Sequence, residues 1–126
     1  MTVQVVLDPS AILAYGRASI AVGELIMMVG EEAGDVGVPV VALAEAYADA
    51  KGIEPTMVEH LAGGLSAVRV LPVDPMDARR IGELSRQVSL GLAHAVTAAR
   101  REQAFLVTAN GDAVRRVFDE RLIIDV

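Results

Sequence analysis

The chain has no cysteine and no tryptophan among its 126 residues. That excludes disulfides, thiolate metal sites and cysteine nucleophiles, and it is compatible with a reducing compartment. Aromatics are almost missing too: Tyr15, Tyr47, Phe105 and Phe118 are the full set. Stacking platforms for single-stranded nucleic acid are therefore scarce, and the core has to be aliphatic. Lysine occurs once, at Lys51. No basic stretch followed by an apolar run opens the sequence, and no apolar run reaches membrane-spanning length. The expectation is a cytoplasmic protein with no membrane contact.

What is present is aliphatic and acidic. Apolar residues make up 53% and the net charge is −6; the length suits one domain, 1–126, with a core of its own. The charge is unevenly spread. Residues 1–68 hold Arg17 and Lys51 against nine acids, whereas residues 69–126 hold nine arginines against eight acids. An acidic total argues against nonspecific nucleic-acid binding through broad electrostatics. A local groove is still open to the pairs Arg79/Arg80, Arg100/Arg101 and Arg115/Arg116, which read otherwise as solvated helix faces.

"VQVVL", Val3 to Leu7, is a continuous apolar run of the kind buried on both faces of a sheet, and it stops at Asp8-Pro9, a helix start. Helical spacing continues through "SAILAYGRAS" and "IAVGELIMMVGEEAG", with Gly34 as the expected C-terminal stop. "DVGVP" reads as a connection, and Pro39 opens "VVALAEAYADAKG". A short helix, "EPTMVEHLAGG", precedes a second strand in "LSAVRVLPV". Two helices follow, "DPMDARRIGELSRQV" and "LGLAHAVTAARRE". "AFLVT" is a third strand, "NGDAVRRVFD" a turn with a short helix, and "LIIDV" a final strand. Short apolar strands separated by helices predict a three-layer α/β/α sandwich with a mainly parallel sheet.

Ligands in open α/β sheets sit beyond the carboxyl ends of the strands. Asp8 ends the first strand; Thr108, Asn110 and Asp112 follow the third. Glu45 lies mid-helix among Leu43, Ala44, Ala46 and Tyr47, a setting in which a charge needs a partner. An arginine, a backbone amide or a cation shared with Asp8 would each serve. Clustered carboxylates repel and raise one another's pKa, and a hard divalent ion relieves that. Helix capping is the competing reading for Asp8 and Asp112. The methionines of "ELIMMV", Met27 and Met28, read as core or as a partner-facing groove.

In that order and spacing, "VVLDPSAILAY", "VPVVALAEAYADA" and "HAVTAARREQAFLVTANGDAVRR" resemble the PIN-domain family, which includes the toxin ribonucleases of bacterial toxin–antitoxin pairs. The resemblance covers essentially the whole chain. It implies a parallel-sheet α/β/α sandwich, a Mg²⁺- or Mn²⁺-dependent endoribonuclease acting on RNA, a homodimer, and an antitoxin-like partner protein. On it, Asp8 and Glu45 match the first two acids, with Asp8, Glu45, Asp112 and Asn110 as metal-site residues and the three acids as catalytic. Ser10 and Thr108 match the supporting hydroxyls, and His94 is a further supporting candidate that would suit Mn²⁺ through its imidazole.

The departure falls in "LGLAHAVTAARR". Family members usually carry an aspartate at the start of this helix; here the match puts Leu92 there, or Ala93 or His94 with the register slipped by one or two, and residues 84–101 contain no carboxylate. A catalytically degenerate domain that binds protein or RNA is therefore the alternative. A receiver-like sandwich would want a lysine after its last strand, and the sole lysine is elsewhere.

Overall fold

The computed structural model describes residues 2–126. Its first strand, β1 (Val3–Leu7), forms from the opening apolar run and sits at the centre of the sheet. Asp8 ends it and starts α1 (Pro9–Gly16), with proline in the first turn, where its missing N–H costs nothing. Then come α2 (Ile20–Glu31), β2 (Asp35–Pro39), α3 (Val40–Asp49), α4 (Glu54–Gly64) and β3 (Val68–Leu71). The second half supplies α5 (Ala78–Leu84), α6 (Leu90–Glu102), β4 (Phe105–Thr108), α7 (Gly111–Arg115) and β5 (Ile123–Asp125). The five strands are all parallel, in the order β3-β2-β1-β4-β5, with a helical layer on each face. This is the three-layer α/β/α sandwich.

Each face has its own core. Val5 and Leu7 of β1, with Val36 and Val38 of β2, pack against α1 to α4. Val3 and Val6, with Leu71 and Leu106, pack against α5, α6 and α7. Strict alternation would put Val3 and Val5 on one face. They point to opposite faces because the register shifts between them. No single helix among the described residues is long and apolar enough to cross a membrane.

Two expectations need correction. "DVGVP" is not a connection but β2, buried throughout and hydrogen-bonded between β1 and β3. Asp35 at its start is fully buried and ion-paired with Arg69 at 3.0 Å. Gly37 gives up its side chain to Leu71, whose Cδ1 would lie 2.8 Å from an added Cβ. The turn closing α2 also differs. Ala33, at φ 59°, takes the left-handed position, with Gly34 N–H donating to Val29 O and Ala33 N–H to Gly30 O. Gly34 is used instead for packing, since a Cβ there would meet the Gln4 side chain at 2.5 Å.

Candidate active site

The carboxyl ends of β1 and β4 are held together by continued ladder bonding: Asp8 N–H donates to Val107 O at 3.0 Å. This seats Asp8 at the mouth of the sheet, 2% exposed. Its Oδ1 accepts from Ala11 N at 2.8 Å, capping α1, and from Ser10 Oγ at 2.7 Å. Ser10 Oγ in turn accepts from Ala109 N at 2.8 Å and lies 3.2 Å from Thr108 Oγ1. Thr108 Oγ1 accepts from Asn110 N at 2.8 Å. Burial pushes the Asp8 pKa above the ordinary carboxylate value, and hydrogen bonds from Thr108, Ser10 and Ala11 offset part of that rise.

A cavity of about 240 Å³ opens beside this cluster, lined by Asp8, Ser10, Glu45, Gln87, Asn110 and Arg116 among others. Glu45 reaches it from α3. Neither of its oxygens meets an arginine: Oε1 accepts from Gly91 N at 3.0 Å and Oε2 from Ser89 Oγ at 2.9 Å. Ser89 also caps α6 by accepting from Leu92 N at 3.2 Å. The carboxylate thus sits at the N-terminal end of α6 and satisfies one of its free N–H groups. Gly91 permits the approach, because a Cβ there would lie 2.8 Å from Glu45 Oε1.

The cavity brings together Asp8, Ser10, Glu45 and Asn110, with Thr108 behind them. It does not include Asp112 or His94. Asn110, Ala113 and Arg116 recur every three residues and face the cavity, so Asp112 falls on the other side of α7. Its side chain is 100% exposed and paired with Arg115 at 3.4 Å.

His94, on the next turn of α6, is buried against a separate cavity with Arg69, Asp77 and Arg101. Its Nδ1 accepts from Val41 N at 3.3 Å. That bond takes Nδ1 away from any metal. Burial holds its pKa below the ordinary 6.5, against the opposing pull of Pro72 and Asp77. Leu92, where the resemblance places an aspartate, lines the Asp8 cavity and is buried.

Ser89, Gly91, Gln87 and Arg116 belong to this site, and sequence reasoning did not single them out as such. The serine before an apolar helical run was a readable cap signal. That the cap would recruit Glu45 depends on tertiary packing. Comparison of the sequence with protein-family models finds no match, and comparison with curated proteins finds no significant one.

The donor set is all oxygen: the Asp8 and Glu45 carboxylates and the Asn110 amide. That chemistry suits one hard cation such as Mg²⁺ or Mn²⁺. It does not suit two. Two divalent ions bring about +4, and among the described residues no group of three or more Asp, Glu, His or Cys is placed to hold a metal. Arg116 adds a further positive charge to the same cavity.

Proposed function

We propose that this chain is a PIN-type ribonuclease that works with one divalent cation and turns over slowly. The observation that carries the reading is the meeting of Asp8 and Glu45, from β1 and α3, in one cavity at the carboxyl ends of the parallel strands. That is where α/β sheets bind their ligands. Asp8 and Glu45 would hold the ion, with the Asn110 oxygen beside them; once bound it supplies Lewis-acid activation of water and of the scissile phosphate.

The chain's own groups do the rest. Ser10 and Ala11 fix one Asp8 oxygen. Ser89 and Gly91 each occupy only one lone pair of the Glu45 oxygens, so the carboxylate is aimed without being used up. Arg116 presents a planar donor fork to a phosphate. The substrate would be cytoplasmic RNA, and the same lineage implies a homodimer and an antitoxin-like partner.

A second reading is favoured by two specific observations: Leu92, which the resemblance matches to the third acid, lines the cavity with an apolar side chain, and Asp112 faces away from it. On that reading the domain binds RNA or protein without cutting. Cleavage of a labelled RNA in millimolar Mn²⁺ separates the two. The ribonuclease reading expects slow cleavage that falls at least about 100-fold in Asp8→Asn and in Glu45→Gln, as for loss of a group that stabilises transition-state charge. Cleavage unchanged by Asp8→Asn would overturn it. No cleavage at all selects the binding module.

A further inference from the structure

Every arginine without an ion pair among the described residues lines one of three hollows that share lining residues. Arg17, Arg69, Arg79, Arg101, Arg115 and Arg121 are all paired with carboxylates; Arg80, Arg86, Arg100 and Arg116 are not. Arg116 lines the Asp8–Glu45 cavity. Gln87 is shared between that cavity and a groove of about 650 Å³ lined by Arg80, Arg86 and Arg100. Arg80 and Arg100 are shared in turn with the next hollow along α5 and α6. The acids on the route are already neutralised: Glu83 pairs with Arg79 at 3.0 Å and Asp77 with Arg101 at 2.8 Å. All four remaining guanidiniums are exposed.

We propose that this track, from Arg116 through Arg86 and Arg100 to Arg80, binds the sugar-phosphate backbone of single-stranded RNA and leads it to the cavity. Its lining argues against a protein partner and against readout of the bases. A protein partner is anchored by apolar and aromatic side chains at the centre of its interface, and the large groove offers one, Leu84. No aromatic residue lines any of the three hollows, so bases have nothing to stack on. Affinity therefore comes from phosphate contacts, with a steep salt dependence and little base preference. In an acidic chain such a run of uncompensated charge has no folding role, because among the described residues the guanidiniums of Arg80, Arg86 and Arg116 make no hydrogen bond; that of Arg100 alone donates one, to Val117 O. The proposal rests on the ribonuclease reading only for where the strand leads; the binding is separate from cleavage.

The test is fluorescence anisotropy with a labelled oligouridine of about twelve nucleotides, in EDTA, as salt rises from about 50 to about 200 mM. Four phosphate contacts on a single strand give a loss of about 50-fold for the wild type, and Arg80→Gln/Arg86→Gln reduces that loss to about 7-fold. Arg80→Lys/Arg86→Lys restores the salt slope. The double glutamine variant removes no internal hydrogen bond, so an unchanged melting temperature verifies its fold. Wild-type affinity and slope in that variant would overturn the track, as would no RNA binding at low salt or a preference for an oligoglutamate peptide. RNA binding with this arginine dependence but no cleavage leaves the track standing and removes the ribonuclease reading instead.

Discussion

Helices α3 and α6 cap each other's N-termini, and the two ends of that exchange behave differently. At one end Glu45 of α3 accepts from Gly91 N of α6; at the other, His94 of α6 accepts from Val41 N of α3. Both are side-chain acceptors standing in for a missing partner at a helix start, where free N–H groups have to be satisfied. α3 in particular has no cap of its own, because Pro39 precedes it. The carboxylate keeps spare lone pairs and an open side toward Asp8. The imidazole spends its Nδ1 on the backbone and faces another cavity. One cap leaves room for chemistry, and the other closes it off.

The His94 end breaks most severely. His94→Ala removes a buried ring and its hydrogen bond from Val41 and should cost about 2–3 kcal/mol, read by urea denaturation at pH 7.5. The same residue carries a pH signature. Nδ1 must be unprotonated to accept from Val41, and the folded pKa lies below 6.5. The unfolded chain therefore takes up this proton first, and stability is lost as pH falls from about 6.5 toward the folded value. His60 is present in both proteins, so the difference between wild type and His94→Ala isolates the effect. A difference that stays constant across the window would remove His94 from the account.

The Glu45 end breaks in sign rather than size. Alanine normally stabilises a helix over glycine by up to about 1 kcal/mol. At Gly91 it should instead destabilise by about 1–2 kcal/mol, because its Cβ would displace Glu45 Oε1. In a Glu45→Ala background the cost should shrink without vanishing, because Pro9 Cγ at 2.9 Å and the Cβ of residue 45 at 3.0 Å still crowd the added Cβ, a coupling that a thermal-melt double-mutant cycle detects. Ser89→Ala is milder, about 1 kcal/mol for a lost N-cap. It should weaken cleavage more than it weakens folding if Glu45 has to be aimed.

How much of this was legible depends on whether a feature is local. The continuous runs at Val3–Leu7 and Phe105–Thr108 announced strands, and Asp8-Pro9 a helix start. β2 was illegible because Asp35, Gly37 and Pro39 each look like loop residues until their burial and packing are known. Asp8 and Glu45 could be picked out, since one ends a strand and the other is a charge set among apolar residues. Asp112 could not be excluded from spacing alone; only the direction of α7 shows that Asn110 and Arg116 take the cavity face. The cross-capping was invisible for the same reason: each half of it lies more than forty residues from its partner.

The smallest effect tests Asp8 itself, which lines the same cavity as Glu45. Its pKa is raised in the fold, chiefly by burial, so the folded state binds this proton more readily than the unfolded chain. Its contribution is full below the ordinary 3.8 and is lost as pH rises through the folded value. At neutral pH the ionised group therefore costs stability. Asparagine keeps the cap to Ala11, since Asn and Asp are equivalent N-caps, and it removes the charge. Asp8→Asn should melt slightly above the wild type at pH 7, whereas Asp8→Ala loses the cap and about 1 kcal/mol. A residue held at a cost to the fold is the kind that function retains. If Asp8→Asn melted lower by as much as Asp8→Ala, its negative charge would be structural, and the contrast between a carboxylate kept for a cation and a histidine kept for packing would fail.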